Sequence, residues 1–557
     1  MRFYTQEMEN RQERWAVVVL VVMTLLAMGR LCTMDFTWRD DDETIHQNPR
    51  MNPPTLATVE YYWTHSHKEL YVPVTYMAWA GLAAIAHIDP PDARGVALNP
   101  WVFHTANVLV HLINVLVVYT ILKRVVKNPL AACAGALVFA VHPVQVEAVG
   151  WVSGMKDLLC EMFVLLGVWQ YLVYAQEKKA LLYWGAFACT AVGTLCKPTA
   201  VVTPLLLAMI DRWVVGRSWR DVARGVWPFV VVVLPCVVWT KIIQNSVARG
   251  PLWSRPLVAA DALAFYMGKL VWPVGLAFDY GHTPEWVIGS GVLYWTWVFP
   301  VSAGVVLWVG RRRWPVVVGA GAVFVIGLLP VLGLMPFKYQ SYSTTADHYL
   351  YPAMLGVAMA AAWVVRRWPG RVMTGAVAVL TVGMALGSAH QAGYWENDIT
   401  LNRRRLEVNP KNYLAHYNLG IALEFEARAM KSEQVQDEAI GHFREAIRLK
   451  PDVVLARSSL ASILLARGKV TEGEELLKEA VRYGEMLPAE ERKSAAPAHY
   501  LLGLMLERQG RLGEAAAEYR RALLLQPGSK PIAAALEKAL RTMNARPTTD
   551  PAHVEVQ

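Results

Sequence analysis

Long apolar runs, each closed by a short charged stretch, follow one another from Trp15 to about residue 390. There the pattern changes to charged, Ala/Leu/Glu/Arg-rich sequence. A helix crossing a bilayer needs about 20 mostly apolar residues, and the runs at 15–32, 101–122, 129–141, 158–175, 180–195, 199–215 and 226–243 are read as spans. Of four more, one ends at Arg311-Arg312-Arg313, one rises to about Met335, one descends to Arg366-Arg367 and one covers about 372–389. The expectation is an all-α, polytopic membrane domain over residues 1–389, with about 11 spans, and a helical second domain over residues 390–557.

Charge sets the sidedness of these spans. Arg11 and Arg14 precede the first run, and Lys123-Arg124, Glu177-Lys178-Lys179 and the Arg212–Arg224 stretch close later ones, so these ends are read as cytoplasmic. The apolar segment 72–88, bounded by Pro73 and Asp89-Pro90-Pro91, is read as a helix lying at the outer interface, because counting it as a span would put Lys123, Arg124 and Lys127 outside. An odd number of spans then puts the first loop and the C-terminal domain on the same outer side. A long outer segment, about 244–290, contains an amphipathic helix near 261–271. No small-residue cleavage site follows the first run, so it is read as a retained span.

The C-terminal region repeats. Asn418-Leu419-Gly420 with Ala439, Phe443, Ala446 and Pro451 matches Leu502-Gly503 with Ala515, Tyr519, Ala522 and Pro527, and a weaker copy carries Leu460-Ala461, Gly473, Leu477 and Ala480. Small residues at helix crossings, a large one a turn later and a closing Pro form the tetratricopeptide pattern. The first copy carries an insertion near Arg428–Gln436, Leu487–Ala496 separates the second from the third, and a capping helix is expected after Pro527.

Composition changes the picture in two respects. The chain is 55% hydrophobic and 18% charged, which fits a membrane protein. Its net charge of +9 sits in short loops between apolar runs, where it is an orientation signal and not a nucleic-acid surface. The six cysteines lie in or beside the apolar runs without paired spacing and suggest neither a disulfide framework nor a zinc site.

The candidate chemistry gathers at outer span ends. Asp40-Asp41-Asp42-Glu43 follows the first span, and four carboxylates there belong in interfacial water, where a lipid head group also sits. His142, Glu147, Trp151, Lys156 and Asp157 form a second outer group, with Lys197-Pro198 and Asp347-His348 as a third and fourth. Such a set suits transfer from a polyprenyl-phosphate donor: a carboxylate takes a proton from an acceptor hydroxyl while Lys or His neutralises the departing phosphate. Crowding by neighbouring acids is expected to raise the base's pKa. His104 and His111, seven apart on one face of a span, suit packing better than metal ligation, and a snorkelling role stays open for Lys156 and Lys197.

Beyond these groups, several stretches resemble a known family. Phe36, Asp40-Asp41, Ile45 and Asn48-Pro49, then His104-Thr105-Ala106-Asn107 and His111, then Phe139-Ala140-Val141-His142-Pro143, Glu147, Trp151 and Lys156-Asp157 are similar to the transmembrane-and-tetratricopeptide-repeat family of GT-C-class glycosyltransferases, most of all to its bacterial members. Lys197-Pro198, Asp211-Arg212-Trp213, Gly268-Lys269-Leu270-Val271-Trp272-Pro273, Ala346-Asp347-His348-Tyr349-Leu350-Tyr351-Pro352 and Trp395 extend the resemblance. It implies an inverting, metal-independent O-glycosyltransferase with no cofactor and a dolichyl- or undecaprenyl-phosphate sugar as donor. Asp40 and Asp41 match the paired acids, with Asp41 favoured as the base; Lys156, Lys197 and His348 are matched to donor-phosphate binding. Glu147, His142, Asp157 and Trp151 are matched to supporting or acceptor-binding roles. The family usually has Arg where Lys156 and His348 stand. Lys keeps the charge without the bidentate fork, and a histidine titrates near neutrality, so Lys197 is expected to carry more of the phosphate.

The resulting expectation is a bacterial inner-membrane protein with a cytoplasmic N-terminus and periplasmic repeats. It would move a hexose such as mannose to Ser or Thr of exported proteins held by the repeats, with membrane lipids and the lipid-linked donor as its other partners. Two alternatives are an envelope lipid or polysaccharide as acceptor, and a non-enzymatic scaffold for envelope assembly.

Overall fold

A computed structural model of the chain describes residues 2–38, 40–92, 95–243, 251–488 and 491–545, with side chains from Asn10 onwards. Arg39, inside the expected acidic loop, and residues 244–250, at the start of the expected outer segment, lie outside the described residues. Among those described the secondary structure is helical, with two isolated bridges, His67 to Leu70 and His87 to Leu98. The chain divides into two compact units, Met1–Arg404 and Arg405–Gln557. The expected boundary at residue 389 falls earlier because Trp395, Glu396 and Asp398 belong to the first unit: Trp395 is buried, Glu396 pairs with Arg30, and Asp398 accepts from the Trp38 N–H.

All eleven expected spans coincide with helices, but not with equally long ones. Seven are long and apolar enough to cross a bilayer: Asn10–Thr33, Pro100–Val126, Val152–Glu177, Pro198–Val215, Trp219–Ile243, Val292–Gly310 and Arg371–Trp395. An eighth is a pair bent by 50°, Pro129–Val141 with Pro143–Gly150. The other three, Ala180–Cys196, Pro315–Val331 and Met354–Arg367, are shorter. The chain is an all-α, multi-pass membrane protein. The Pro73–Ala86 helix has 14 residues, about 21 Å of rise, which is less than the ~30 Å hydrocarbon core.

Local sequence explains where these helices start and how they meet. Asn99-Pro100 and Asn128-Pro129 each place a capping side chain before a proline at the first helical position, the Asn oxygens accepting from Trp101 N at 3.0 Å and Ala131 N at 2.8 Å. Small residues let backbones touch: a Cβ on Gly135 would lie 2.4 Å from the Ala358 carbonyl oxygen, and one on Gly356 2.4 Å from that of Ala320. Close approach of this kind is how helices associate where water supplies no driving force.

The second unit is built of tetratricopeptide pairs, Tyr413–Met430 with Glu433–Leu449, Val454–Ala466 with Val470–Met486, and Ala496–Arg508 with Leu512–Leu525, followed by Lys530–Ala545. The repeat signature works as expected: Gly420 faces the Phe443 ring and Gly503 the Tyr519 ring, where a Cβ would sit 2.8 and 2.5 Å away. The insertion in the first copy appears as length, its first helix having 18 residues against 13 in each of the other two.

Candidate active site

The first loop is fastened to the second by one carboxylate. Asp41 is fully buried; its Oδ1 accepts from Ser153 N at 2.9 Å and Ser153 Oγ at 2.6 Å, and its Oδ2 from Thr37 N at 3.3 Å and Thr37 Oγ1 at 3.0 Å. Burial pushes its pKa up to about 7, although the hydrogen bonds from Ser153 and Thr37 pull the other way. The expected cause was crowding by neighbouring acids; the cause is desolvation by burial.

Asp40 has a different environment. Its backbone is held left-handed at φ 68°, where a non-glycine residue is strained. Its carbonyl accepts from Thr44 N at 2.8 Å and from the Thr44 hydroxyl. The carboxylate is 49% exposed and its Oδ2 lies 3.7 Å from Lys156 Nζ, on a side chain only 9% exposed. Lys156 Nζ also sits 5.3 Å from the Trp151 ring and 5.9 Å from that of Trp79.

One face of the Pro100–Val126 helix seats this loop structure. His104 Nε2–H donates to the Asp35 carbonyl at 3.1 Å, and Asn107 Nδ2 donates to those of Val149 at 3.1 Å and Trp151 at 2.7 Å. His111 bonds the Tyr351 hydroxyl and the Ala140 carbonyl, and Asn114 donates to Leu158 O and Tyr351. The recurrence at 104, 107, 111 and 114 is thus an anchoring stripe, its imidazoles spent on backbone and Tyr351.

The remaining expected residues form two pairs. Lys197, at the break before Pro198, donates to Asp157 Oδ1 at 2.5 Å. Its charge is therefore already met by a carboxylate. His348 Nδ1 is hydrogen-bonded to Glu147 Oε1, and Glu147 Oε2 accepts from Asp347 N at 3.1 Å. Burial pushes the His348 pKa down to about 3, which favours the neutral imidazole beside Glu147. Asp347 is pushed up to about 7 by burial while accepting from Tyr280 Oη at 2.7 Å.

Two supporting residues are structural neighbours of this set. His142 Nε2–H donates to the Leu270 carbonyl at 3.1 Å and Nδ1 accepts from Val144 N at 3.3 Å, so both nitrogens are used in seating the bend at Pro143. Trp151 packs its ring against Phe278 at 5.2 Å and His348 at 5.6 Å. The sequence reading missed Thr37, Ser153, Trp79 and Tyr280. Ser153 lies in the Trp151–Asp157 stretch and had a local signal, whereas Tyr280 is 67 residues from its partner and had none.

Comparison with known proteins points the same way. Residues 96–241 match a family described as dolichyl-phosphate-mannose-protein mannosyltransferase, and residues 436–489 and 496–529 match tetratricopeptide repeats. The chain is 23% identical to the mouse protein O-mannosyl-transferase TMTC3 over 92% of its own length and 60% of that protein. It is 22% identical to the Caenorhabditis elegans protein O-mannosyl-transferase F38B6.6 over 78% of this chain and 63% of that one. The Drosophila protein O-mannosyl-transferase Tmtc2 is 29% identical over 34% of this chain and 22% of its own length. The chain thus spans less than two thirds of the length of these curated relatives. It is a multi-pass helical membrane protein with a tetratricopeptide-repeat region, and its similarity runs to the protein O-mannosyl-transferases along both parts.

Proposed function

We propose that the chain belongs to the GT-C-class transmembrane-and-tetratricopeptide-repeat family. In this reading it transfers a hexose, mannose in the first instance, from a polyprenyl-phosphate donor to Ser or Thr hydroxyls of proteins, in a bacterial inner membrane with site and repeats on the periplasmic side. The observation that carries this reading is the Asp40 carboxylate, half-exposed, held in a strained backbone conformation and 3.7 Å from the nearly buried Lys156. Asp40, rather than Asp41, is the base: it has surface for a hydroxyl to reach, whereas Asp41 is enclosed by four protein donors. Asp41 positions it by tying the first loop to Ser153.

In the proposed step the Asp40 carboxylate takes the acceptor hydroxyl proton as that oxygen attacks the anomeric carbon. The bond from that carbon to the phosphate oxygen breaks, the electron pair leaves with the polyprenyl phosphate, and displacement from the opposite face inverts the anomeric centre. Lys156, flanked by Trp79 and Trp151, is the cation for the departing phosphate. Lys197, held by Asp157, has the smaller part. The reaction asks for no metal, and the repeats hold the acceptor segment, as solenoid surfaces commonly do.

The test is transfer of radiolabelled mannose from polyprenyl-phosphate mannose by the purified full-length protein in lipid, comparing wild type, Asp40→Asn and Asp41→Asn, with and without EDTA. Label on a protein acceptor, absent with Asp40→Asn and unaffected by EDTA, supports the reading. Label on lipid alone favours the envelope-lipid alternative, and a well-folded protein without transfer to any acceptor favours the scaffold.

A further inference from the structure

The segment 251–297 has two unlike faces. Its inner face is tied to the site: Tyr280 donates to Asp347, Tyr266 Oη accepts from Ala346 N at 3.2 Å, the His282 carbonyl accepts from Thr344 N at 2.8 Å, and the Phe278 carbonyl accepts from Tyr339 Oη at 3.0 Å. Its outer face is apolar and bare. Leu252 is 73% exposed, Trp253 58%, Val271 83% and Trp272 72%, with Val274, Trp286, Tyr294 and Trp295 also open.

A loop facing water would cover such a surface with charge. The stretch contains five charged residues, Arg255, Asp261, Lys269, Asp279 and Glu285. Asp261 and Asp279 are buried, and Lys269 is spent on the Val274 and Gly275 carbonyls at 2.7 and 3.1 Å. Only Arg255 and Glu285 remain near the surface. An exposed apolar patch of this kind marks a contact surface.

Its neighbours identify the occupant. The Arg255–Val271 helix and the Pro284–Ser290 helix share a small apolar core with Val292 and Leu293, the first residues of the Val292–Gly310 span. Only 11% of that span's apolar stretch is buried inside the protein and Val298, Phe299, Val305 and Trp308 are open, which leaves this face for lipid. Tyr294 and Trp295 at its start continue directly into the bare face of the segment. Tryptophan and tyrosine are enriched at the level of lipid head groups.

We infer that residues 251–297 form a membrane-embedded interfacial platform, its Trp253 and Trp272 face lying in the head-group layer of the bilayer and its opposite face carrying the Ala346–His348 segment. The platform fixes the height of the site at the bilayer surface, and it does so whatever reaction the site performs. The Arg255–Val271 helix is then a floor resting on lipid, and the bilayer is part of what holds Asp347 and His348 in place.

The test places the photo-reactive residue p-benzoylphenylalanine at 253 or 272 of the full-length protein in phosphatidylethanolamine/phosphatidylglycerol nanodiscs, with Val305 in the span and Leu524 on the repeats as reference positions. After illumination, intact-mass spectrometry is expected to find lipid adducts at 253 and 272 in yields like that at 305 and about ten-fold above that at 524. Hydroxyl-radical footprinting of the unaltered protein in the same nanodiscs removes any concern over folding; Trp253 and Trp272 should be protected while the exposed Met486 on the repeats oxidises. Adducts at 305 with none above the 524 level at 253 and 272, oxidation of both tryptophans, or cross-linking to a second copy would each overturn the platform.

Discussion

The candidate site of the membrane unit and the helix surfaces of the repeat unit use the same secondary structure and place charge differently. In the membrane unit the candidate site encloses the ion pair of Lys197 with Asp157 and the hydrogen-bonded pair of His348 with Glu147, all at most 16% exposed, and of the Lys156–Asp40 pair only the Asp40 carboxylate is half-exposed. In the repeat unit many pairs run along helix surfaces three or four residues apart, as with Arg448 and Glu445, Arg511 and Glu514, and Arg541 and Glu537, while others join neighbouring helices, and Arg457 with Glu479 and His499 with Glu518 have an enclosed member. Enclosing a charge costs several kcal/mol unless it is well paired, so charges kept inside mark a site or its support. Exposed pairs contribute little individually. The difference separates residues whose loss should abolish function or folding from residues whose loss should pass unnoticed.

The largest expected effect tests that separation directly. Asp40→Asn should lower transfer by about 10²–10⁴-fold, the usual contribution of a general base, with an unchanged melting profile. Equal loss of melting temperature and activity would make Asp40 structural. Next, Lys197→Met leaves Asp157 enclosed and unpaired and should destabilise the membrane unit by about 3–5 kcal/mol. Lys197→Met with Asp157→Leu should recover most of it, read as detergent-solubilised thermal melts of the single and double variants.

Asp41 supplies a pH dependence. Its carboxyl holds its proton up to about 7 in the fold and releases it near 3.8 when unfolded. The stability it contributes is therefore full below about 4 and is lost as pH rises through about 7. Asp41→Asn should flatten this slope and, by breaking acceptor contacts to Ser153 or Thr37, cost about 1–3 kcal/mol, measured as melting temperature against pH.

In the repeats the sensitive positions are steric. Gly503→Ala places a methyl 2.5 Å from the Tyr519 ring and should cost about 1–3 kcal/mol by overpacking. Hydrogen exchange of the full-length protein should rise in the Ala496–Arg508 and Leu512–Leu525 helices alone. The smallest effect belongs to Arg511→Ala on the same repeat, where the exposed pair with Glu514 is lost and no change in melting temperature should be detectable. A clear change there would erase the distinction between the units.

Hydropathy and local spacing made much of this protein legible from its sequence. Apolar run length located every helix that is long and apolar enough to cross a bilayer among the described residues, because crossing a bilayer is a constraint within one helix. The repeat signature located the helix pairs, because Gly420 and Gly503 meet residues of the next helix in the same repeat. Motif residues also named Asp40, Lys156, Asp157 and Glu147, which take part in the ion pairs and hydrogen bonds of the candidate site.

Tertiary structure alone decided the surroundings of each of those residues. Adjacent acids in one loop became a half-exposed carboxylate and an enclosed clamp, since only the fold brings Ser153 to Asp41 across 112 positions. Burial pushes His348 toward its neutral form beside Glu147, and Tyr280 reaches Asp347 from a distant segment. Which helices are too short to cross unaided, and which face of 251–297 is bare, likewise came from packing. Hydrophobic pattern is a property of neighbours along the chain, whereas desolvation and hydrogen-bond partners are properties of neighbours in space; the first is written in order, and the second exists only once the helices have met.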